Sequence, residues 1–275
     1  MNPRQFIRKA RSLFNRLRKS ISGQSLSDKL KCLLICFKFE SRAFANIATR
    51  FLDAFAKNSI LTITLRHQKT QKLCTISLRE KNYADYFIFW EFLGGFYNPP
   101  DFAERIVDCG ANIGLFAVHA GLIFPRAKII CFEPDRKNFE MLLENLEQNN
   151  IQADCLQRGV WSSKLSGYFH CRQAFDGFIS LDPSEFPVEC EVPEISSQTW
   201  LKMDIEGGEY EVLPKIMSSD ILPKHISMEI HDFHVRGERL TDLLKTKGYG
   251  LHIVTDGSSK ALFAEVSAKL ADSRF

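Results

Sequence analysis

Ile106-Val-Asp-Cys-Gly110-Ala-Asn-Ile-Gly114 is a short apolar run that ends in a glycine turn, and Asn112–Ile123 continues with helical character. Strand, tight turn and helix in that order are what an adenosine-containing cofactor requires. Glycine lets the backbone approach a ligand, and a helix start presents free N–H groups. Asn112 stands where a dinucleotide fingerprint has its second glycine, so the turn alone is a weak signal. The next strand strengthens it. Lys128-Ile-Ile-Cys-Phe-Glu133-Pro134 ends in an acid 23 residues after Gly110. At that offset a carboxylate closes the second strand and accepts hydrogen bonds from both ribose hydroxyls. Asp135 then caps a helix whose Phe139, Leu142, Leu143 and Leu146 are expected to face the sheet, with Asn149-Asn150 at its end.

Further along, Trp200-Leu-Lys202-Met-Asp204-Ile-Glu206-Gly207-Gly208-Glu209 separates the cofactor classes that share this beginning. Leu201, Met203 and Ile205 alternate with Lys202, Asp204 and Glu206. An interior parallel strand is apolar on both faces, so three charges near its carboxyl end either line a site or pair with one another. Glu209 opens the next helix, where an acid meets the positive end of the helix dipole. His225-Ile-Ser-Met-Glu229-Ile-His231 reads as a fifth strand ending in a polar cluster. Glu229, His231, Asp232 and His234 have the chemistry of metal ligands but no established ligand spacing, and no metal is expected.

Val107-Asp-Cys-Gly-Ala-Asn-Ile-Gly114, Phe132-Glu-Pro-Asp135 and Lys202-Met-Asp-Ile-Glu-Gly-Gly-Glu209 resemble the three signature segments of FkbM-type S-adenosylmethionine-dependent methyltransferases. The similarity runs from about Asp85 to Val266, and the Asp-x-Glu-Gly-x-Glu segment is its most specific part. The resemblance implies an α/β fold: a Rossmann-like class I methyltransferase sheet, seven-stranded and mostly parallel, with an antiparallel C-terminal hairpin. It implies methylation of a hydroxyl, of a sugar or glycolipid, with S-adenosyl-L-methionine as cofactor. The cofactor contacts it suggests are Asp108, Gly110, Ala111, Asn112, Gly114, Glu133 and Pro134, joined by Asp204 and Glu206. One departure is a short stretch between Glu191-Val-Pro and Trp200, which lacks the helix the family has before the Asp204 strand.

Hydroxyls are poor nucleophiles at neutral pH, so a general base is expected. His231 is the first candidate because it ends the strand after that of Asp204; Asp204 is the second, and Lys202 completes the catalytic set. Lys202 with Asp204 and Glu206 is similar to the Lys/Asp/Glu sets that act on ribose hydroxyls, which makes an RNA ribose methyltransferase the enzymatic alternative. A nicotinamide oxidoreductase fits less well, given Asn112 and the charged Asp204 strand. A non-catalytic methyltransferase-like binding module is the alternative from another class.

Charge argues against nucleic acid. The chain of 275 residues has a formal net charge of +3. Residues 1–27 hold seven basic residues and no acid; beyond them 29 basic residues face 33 acidic ones, leaving the body at −4. A duplex-binding protein would carry a basic stripe over its domain. Phe6, Ala10, Leu13, Leu17 and Ile21 fall on one side of a helix, with Arg and Lys on the rest. This basic amphipathic helix, residues 1–22, suits peripheral contact with an anionic membrane through residues 1–21, a cleaved targeting role, or packing on the body.

Residues 23–100 read as an extension. Ser27-Asp28 caps a helix to about Lys57, and Ile60–Leu65 and Leu73–Leu78 form a hairpin. An aromatic segment, Asp85–Phe96, follows, its rings expected to pack the extension onto the body in preference to forming a substrate-binding patch. Residues 101–267 are then the methyltransferase domain. Within it, Ala153–Val160 reads as the third strand and Trp161–Pro193 as hairpin and loop. Leu251–Val254 and Ala261–Val266 pair around Asp256-Gly257. Eight cysteines without paired spacing point to buried thiols in a reducing, cytoplasmic compartment, and no apolar run is long enough to span a bilayer.

Overall fold

The computed structural model describes residues 25–40, 48, 51–52, 55, 58–94, 98–171, 177–184, 186–255 and 261–268. The expected helix over residues 1–22 lies outside them, as do Lys57 and the Asp256-Gly257 turn. Among the described residues no helix is long and apolar enough to cross a membrane. The chain forms two compact units that interleave: residues 113–123 and 140–151 group with the N-terminal 96 residues, and the remainder forms the second.

In the first unit, helix α1 (Leu26–Glu40) starts about two residues earlier than a Ser27 cap would set it. Ser25 is the cap, its Oγ accepting the Asp28 N–H at 3.0 Å. Strands β1 (Ile60–Arg66) and β2 (Leu73–Arg79) pair antiparallel. Leu61, Ile63 and Leu65 alternate inward with the threonines between them on the other face. Helix α2 (Tyr83–Gly94) follows, anchored at its first turn by buried Asp85, which takes a two-pronged bond from the Arg79 guanidinium and a third from the Arg79 N–H at 2.7 Å. Tyr86, Phe89 and Phe92 are buried within this unit.

Helices α3 (Leu115–Ile123) and α4 (Arg136–Gln148) also contribute to this unit, the latter through residues from Glu140 on. The face of α4 differs from the expected one: Met141, Leu142, Asn145 and Leu146 are buried, while Leu143 is 44% exposed. Asn145 tolerates burial because both of its N–H donors and its side-chain oxygen are engaged. Its Oδ1 accepts the Ser77 N–H at 2.7 Å, and its Nδ2 donates to the Ser77 carbonyl at 3.1 Å and the Ile113 carbonyl at 2.8 Å. Asn149 repeats the pattern on Thr75. Two asparagines one helical turn apart thus pair with β2 as a neighbouring strand would.

The second unit is built on a sheet with the order β12-β13-β11-β10-β3-β4-β5. Strands β3 (Arg105–Cys109), β4 (Lys128–Phe132), β5 (Asp154–Leu156), β10 (Thr199–Met203) and β11 (His225–His231) run parallel. β12 (Tyr249–Thr255) and β13 (Ala261–Ala268) pair antiparallel, and β13 pairs antiparallel with β11. From β3 the chain proceeds outward in one direction to β4 and β5, then returns to β10 on the other side. Doubly wound sheets bind ligands outside the carboxyl ends of the strands where that reversal occurs. All five residues of β10 are buried, among them Trp200, whose Nε1 donates to Ser227 Oγ at 3.0 Å.

The third strand is shorter than expected. After β5, β6 (Gly159–Val160) leaves for a second sheet of order β6-β9-β7-β8, with β7 (Leu165–Cys171), β8 (Gly177–Ser180) and β9 (Phe186–Glu191). This sheet stands where the sequence suggested hairpin and loop; Phe169, Val188 and Cys190 make its small core. Gly159 is needed there, since a Cβ on it would lie 2.2 Å from Ile179 Cδ1. Residues 192–198 contain no helix, in keeping with the short stretch noted in the sequence. Helices α5 (Glu209–Met217) and α6 (Glu238–Thr246), with a π-helical turn Phe233–Gly237, complete this unit.

Candidate active site

The carboxyl ends of β10, β3 and β4 lie side by side, with Lys202 in register with Asp108 and Asp108 with Cys131. Gly110 follows β3 with φ +78°, and a Cβ there would stand 1.9 Å from the Asp204 carbonyl oxygen. The glycine is therefore required by the approach of the neighbouring strand end as well as by the turn. Gly114, φ +85°, is required by helix packing: a Cβ would meet Leu142 Cδ1 at 2.6 Å.

The turn's amides are not open, contrary to the expectation of free donors. Gly110 and Ala111 both donate to the Phe132 carbonyl, at 3.0 and 2.9 Å, and the Asn112 N–H donates to Glu133 Oε2 at 2.7 Å. Glu133 also accepts the Asp135 N–H through Oε1 at 2.9 Å. Burial raises its pKa to about 7, against the lowering effect of these two backbone donors. Pro134, partly buried, separates this carboxylate from Asp135, whose Oδ1 accepts the Asn138 N–H at 2.8 Å and caps α4 as expected.

Lys202 and Asp108 form a buried pair. Lys202 Nζ lies 3.3 Å from Asp108 Oδ1, 3.9 Å from Asp204 Oδ2 and 2.6 Å from the Gly110 carbonyl oxygen, to which it donates. Burial works against the ammonium, yet Asp108 and Asp204 hold its pKa above the ordinary value. Burial raises Asp108 in turn, with Lys202 opposing. A charge this deep persists only when paired. Lys202 ties the end of β10 to the glycine turn through the Gly110 carbonyl.

His231 sits in a ring of acids. Its Nδ1 is 3.0 Å from Glu209 Oε1, and its Nε2 is 3.1 Å from Glu206 Oε2 and 4.0 Å from both Asp204 Oδ1 and Glu229 Oε1. Burial favours the neutral ring, but hydrogen bonds to Glu206 and Glu209 and the charges of Glu209 and Asp204 outweigh it and raise the pKa to about 12. With both ring nitrogens directed at carboxylates, the surroundings favour the imidazolium over the neutral ring. These contacts weigh against the expected role of His231 as general base: the histidine is surrounded by carboxylates that stabilise its charged form. Asp204, Glu209 and His231 also form a set with ligand-type atoms within 4.8 Å of one another.

The model of the methyltransferase FkbM domain matches residues 108–251, just over half of the chain. The chain belongs to the FkbM methyltransferase family. It is accordingly a methyltransferase with S-adenosylmethionine as methyl donor. Methyltransferase 1 of Beauveria bassiana is 24% identical over 54% of this chain and 73% of its own length. Methyltransferase sdnD of Sordaria araneosa is 43% identical over 60 residues, which is 21% of this chain and 23% of that protein. Among solved structures, the Pyrococcus abyssi tRNA (uracil-54, C5)-methyltransferase in complex with S-adenosyl-L-homocysteine is 13% identical with a TM-score of 0.41, over 74% of this chain and 43% of that one. A likeness that loose carries nothing about an acceptor.

For an FkbM domain, the test of the donor site is whether the residues at the reversal point suit an adenosyl group. They do. Glu133 is a buried carboxylate at the end of β4, and each of its oxygens holds one backbone donor, which leaves a lone pair on each for a vicinal diol. Both oxygens of Asp108 are buried without a well-formed hydrogen bond, Lys202 being near one of them. Of the residues named from the sequence, Asp108, Gly110, Asn112 and Glu133 gather on β3 and β4, and Lys202, Asp204, Glu206 and His231 on β10 and β11. Sequence reasoning undervalued Glu209, which looked sufficient as a helix-start acid. It passed over Tyr210, which donates to the His231 carbonyl at 2.7 Å, and Arg236, whose guanidinium lies 3.9 Å over the Tyr210 ring. Neither has a signal in spacing, because both reach the site from helices that a strand pattern does not mark.

Proposed function

We propose that this FkbM domain is an O-methyltransferase acting on a neutral hydroxyl, of a sugar or glycolipid, with Asp204 as the general base. The observation that supports this is the pair of partly exposed carboxylates, Asp204 and Glu206, standing at the end of β10 beside the glycine turn. When bound, adenosylmethionine supplies an electrophilic methyl group on a positively charged sulfur, so the protein's tasks are to orient the acceptor and remove one proton. Glu133 would hold the ribose, and Asp108 with Asp204 would favour the cationic donor electrostatically. Asp204 accepts the hydroxyl proton. The His231 imidazolium, donating to Glu206 and Glu209, keeps the carboxylates from repelling one another apart. Orientation contributes roughly 7–11 kcal/mol in well-arranged systems, and a general base about 10²–10⁴-fold.

The same cluster argues against an RNA ribose acceptor. Four carboxylates around one imidazolium leave a negative edge that repels phosphates, and the acidic body adds to it. The basic residues 1–21 are read as a peripheral contact with an anionic membrane, which would bring a lipid-borne acceptor to the enzyme. Full-length protein should then co-sediment with anionic vesicles, and a chain starting at Gly23 should not.

The test of the reaction uses methyl-labelled adenosylmethionine and fractionated cell extract. Asp204→Asn should lower incorporation about 10²–10⁴-fold, while calorimetry shows donor binding weakened by no more than about tenfold. Incorporation within tenfold of the parent removes the base role, and label found in a nuclease-sensitive fraction favours the RNA reading. Glu133→Ala should weaken donor binding by roughly ten- to a hundredfold with the fold intact.

A further inference from the structure

Glu209 is fully buried at the first position of α5, where contact with the helix dipole would be reason enough for an acid. Its carboxylate does more. Oε1 accepts the Ile205 N–H at 3.0 Å and lies 3.0 Å from His231 Nδ1, while Oε2 accepts the Gly207 N–H at 2.9 Å. One group closes the turn that carries Asp204 and Glu206 and, at the same time, orients the ring at the end of β11. With Nδ1 directed to Glu209, Nε2 points to Glu206 at 3.1 Å and Asp204 at 4.0 Å. The turn is one the chain would not hold unaided: Glu206 has φ +53° and Gly207 φ +100°.

We propose that Glu209 is a positioning residue for methyl transfer, fixing the Asp204–Gly207 turn and the His231 ring against one another so that Asp204 and Glu206 meet the acceptor at a set spacing. A purely helix-stabilising acid would make no demand on His231. A carboxylate hydrogen-bonded to Nδ1 sets both the orientation and the charge of the ring, as second-layer carboxylates do for functional histidines elsewhere. Tyr210, the next residue, reinforces the arrangement from the backbone side by donating to the His231 carbonyl at 2.7 Å. The groups facing the ring are Glu209, Glu206, Asp204 and Glu229, all acids. The inference rests on the reading that the Asp204–Gly207 turn faces the acceptor.

The ring and amide readouts of the test need no acceptor. Side-chain nitrogen NMR of the full-length protein between pH 6 and 9 should show His231 with both ring nitrogens protonated throughout. In Glu209→Gln the ring should begin to titrate within that range. With the Gln oxygen kept toward Ile205, amide exchange at Gly207 should accelerate at least tenfold, because the NH₂ that replaces Oε2 cannot accept its N–H. Calorimetric affinity for adenosylmethionine should change less than threefold. Label incorporation from extract should fall with it, and Glu209→Asp, which keeps the charge, should restore the protonated ring. A neutral His231 in the parent at pH 7, or a Glu209→Gln ring that stays protonated with Gly207 still protected, overturns the proposal. If Glu209→Gln fails to fold, the parent spectrum and Glu209→Asp carry the decision. The base reading fails by a different measurement, unaltered incorporation in Asp204→Asn, so the two are separable.

Discussion

The two units bury polar groups with a different balance of partners. Beside the charged Arg79–Asp85 pair, the first unit uses neutral partners: Asn145 and Asn149 pair with the backbone of β2, and His67 Nε2 meets His119 Nδ1 at 2.8 Å with Thr70 on the other ring nitrogen of His67. The second uses charge: Lys202 with Asp108 and Asp204, and His231 within four carboxylates. Neutral hydrogen bonds satisfy a buried group at modest net gain, about 1 kcal/mol each, without large electrostatic fields. Buried charges cost several kcal/mol to desolvate and persist where they are paired or where the chemistry uses them. The charged groups of the second unit crowd the carboxyl edge of its sheet.

The contrast can be broken by substitution. Gly110→Ala should have the largest effect on stability, because a Cβ 1.9 Å from a main-chain oxygen cannot be relieved by a side-chain rotation and φ +78° adds strain. A loss of about 3 kcal/mol or more is expected, read as a lowered denaturant midpoint at unchanged slope. Asn145→Ala should come next. It strands the Ser77 N–H and two carbonyl oxygens, for a loss of about 2–3 kcal/mol in chemical denaturation.

Acid should separate the units further. Burial, together with Lys69 and Lys72, lowers His67 to about pKa 4 from an ordinary 6.5. A histidine whose folded pKa is depressed contributes stability above pH 6.5 and loses it as the pH falls toward 4, because the unfolded chain takes up the proton first. His231 is shifted the other way, so its contribution is complete below pH 6.5 and is lost only as the pH rises toward about 12. Thermal melts at pH 7 and pH 5 should therefore differ less for His67→Gln than for the parent; equal differences would remove the pair from the account. The smallest effect belongs to Leu143→Ala. At 44% exposure it should change stability by no more than about 0.5 kcal/mol, against roughly 2–5 kcal/mol for Leu142→Ala one residue away.

Much of this was legible in the sequence, and what was missed follows a pattern. Strands β3, β4, β10 and β11 announce themselves as apolar runs closed by Gly110, Glu133, Asp204 and His231, because a parallel strand must be apolar inside and can afford polarity only at its end. The helix α4 was legible as a helix, but its inward face was misplaced by taking Leu143 in place of Asn145. Hydrophobic periodicity ranks a leucine above an asparagine, and the Ser77 and Ile113 groups that satisfy Asn145 lie 68 and 32 residues away. The four-stranded sheet was hidden because its strands are short and half exposed, which weakens alternation.

What the sequence determined alone is the chemistry available: the glycine turn, the ribose-type acid at its offset, and the Lys202-to-Glu209 segment are local patterns whose meaning depends on chain spacing. What only the tertiary structure decided is protonation and access. Whether His231 is a base or a cation depends on acids 2, 22, 25 and 27 residues away meeting within 4.0 Å, and whether the turn's amides are open depends on one carbonyl of Phe132. Electrostatic energies fall with distance in space, and distance along the chain does not carry that information.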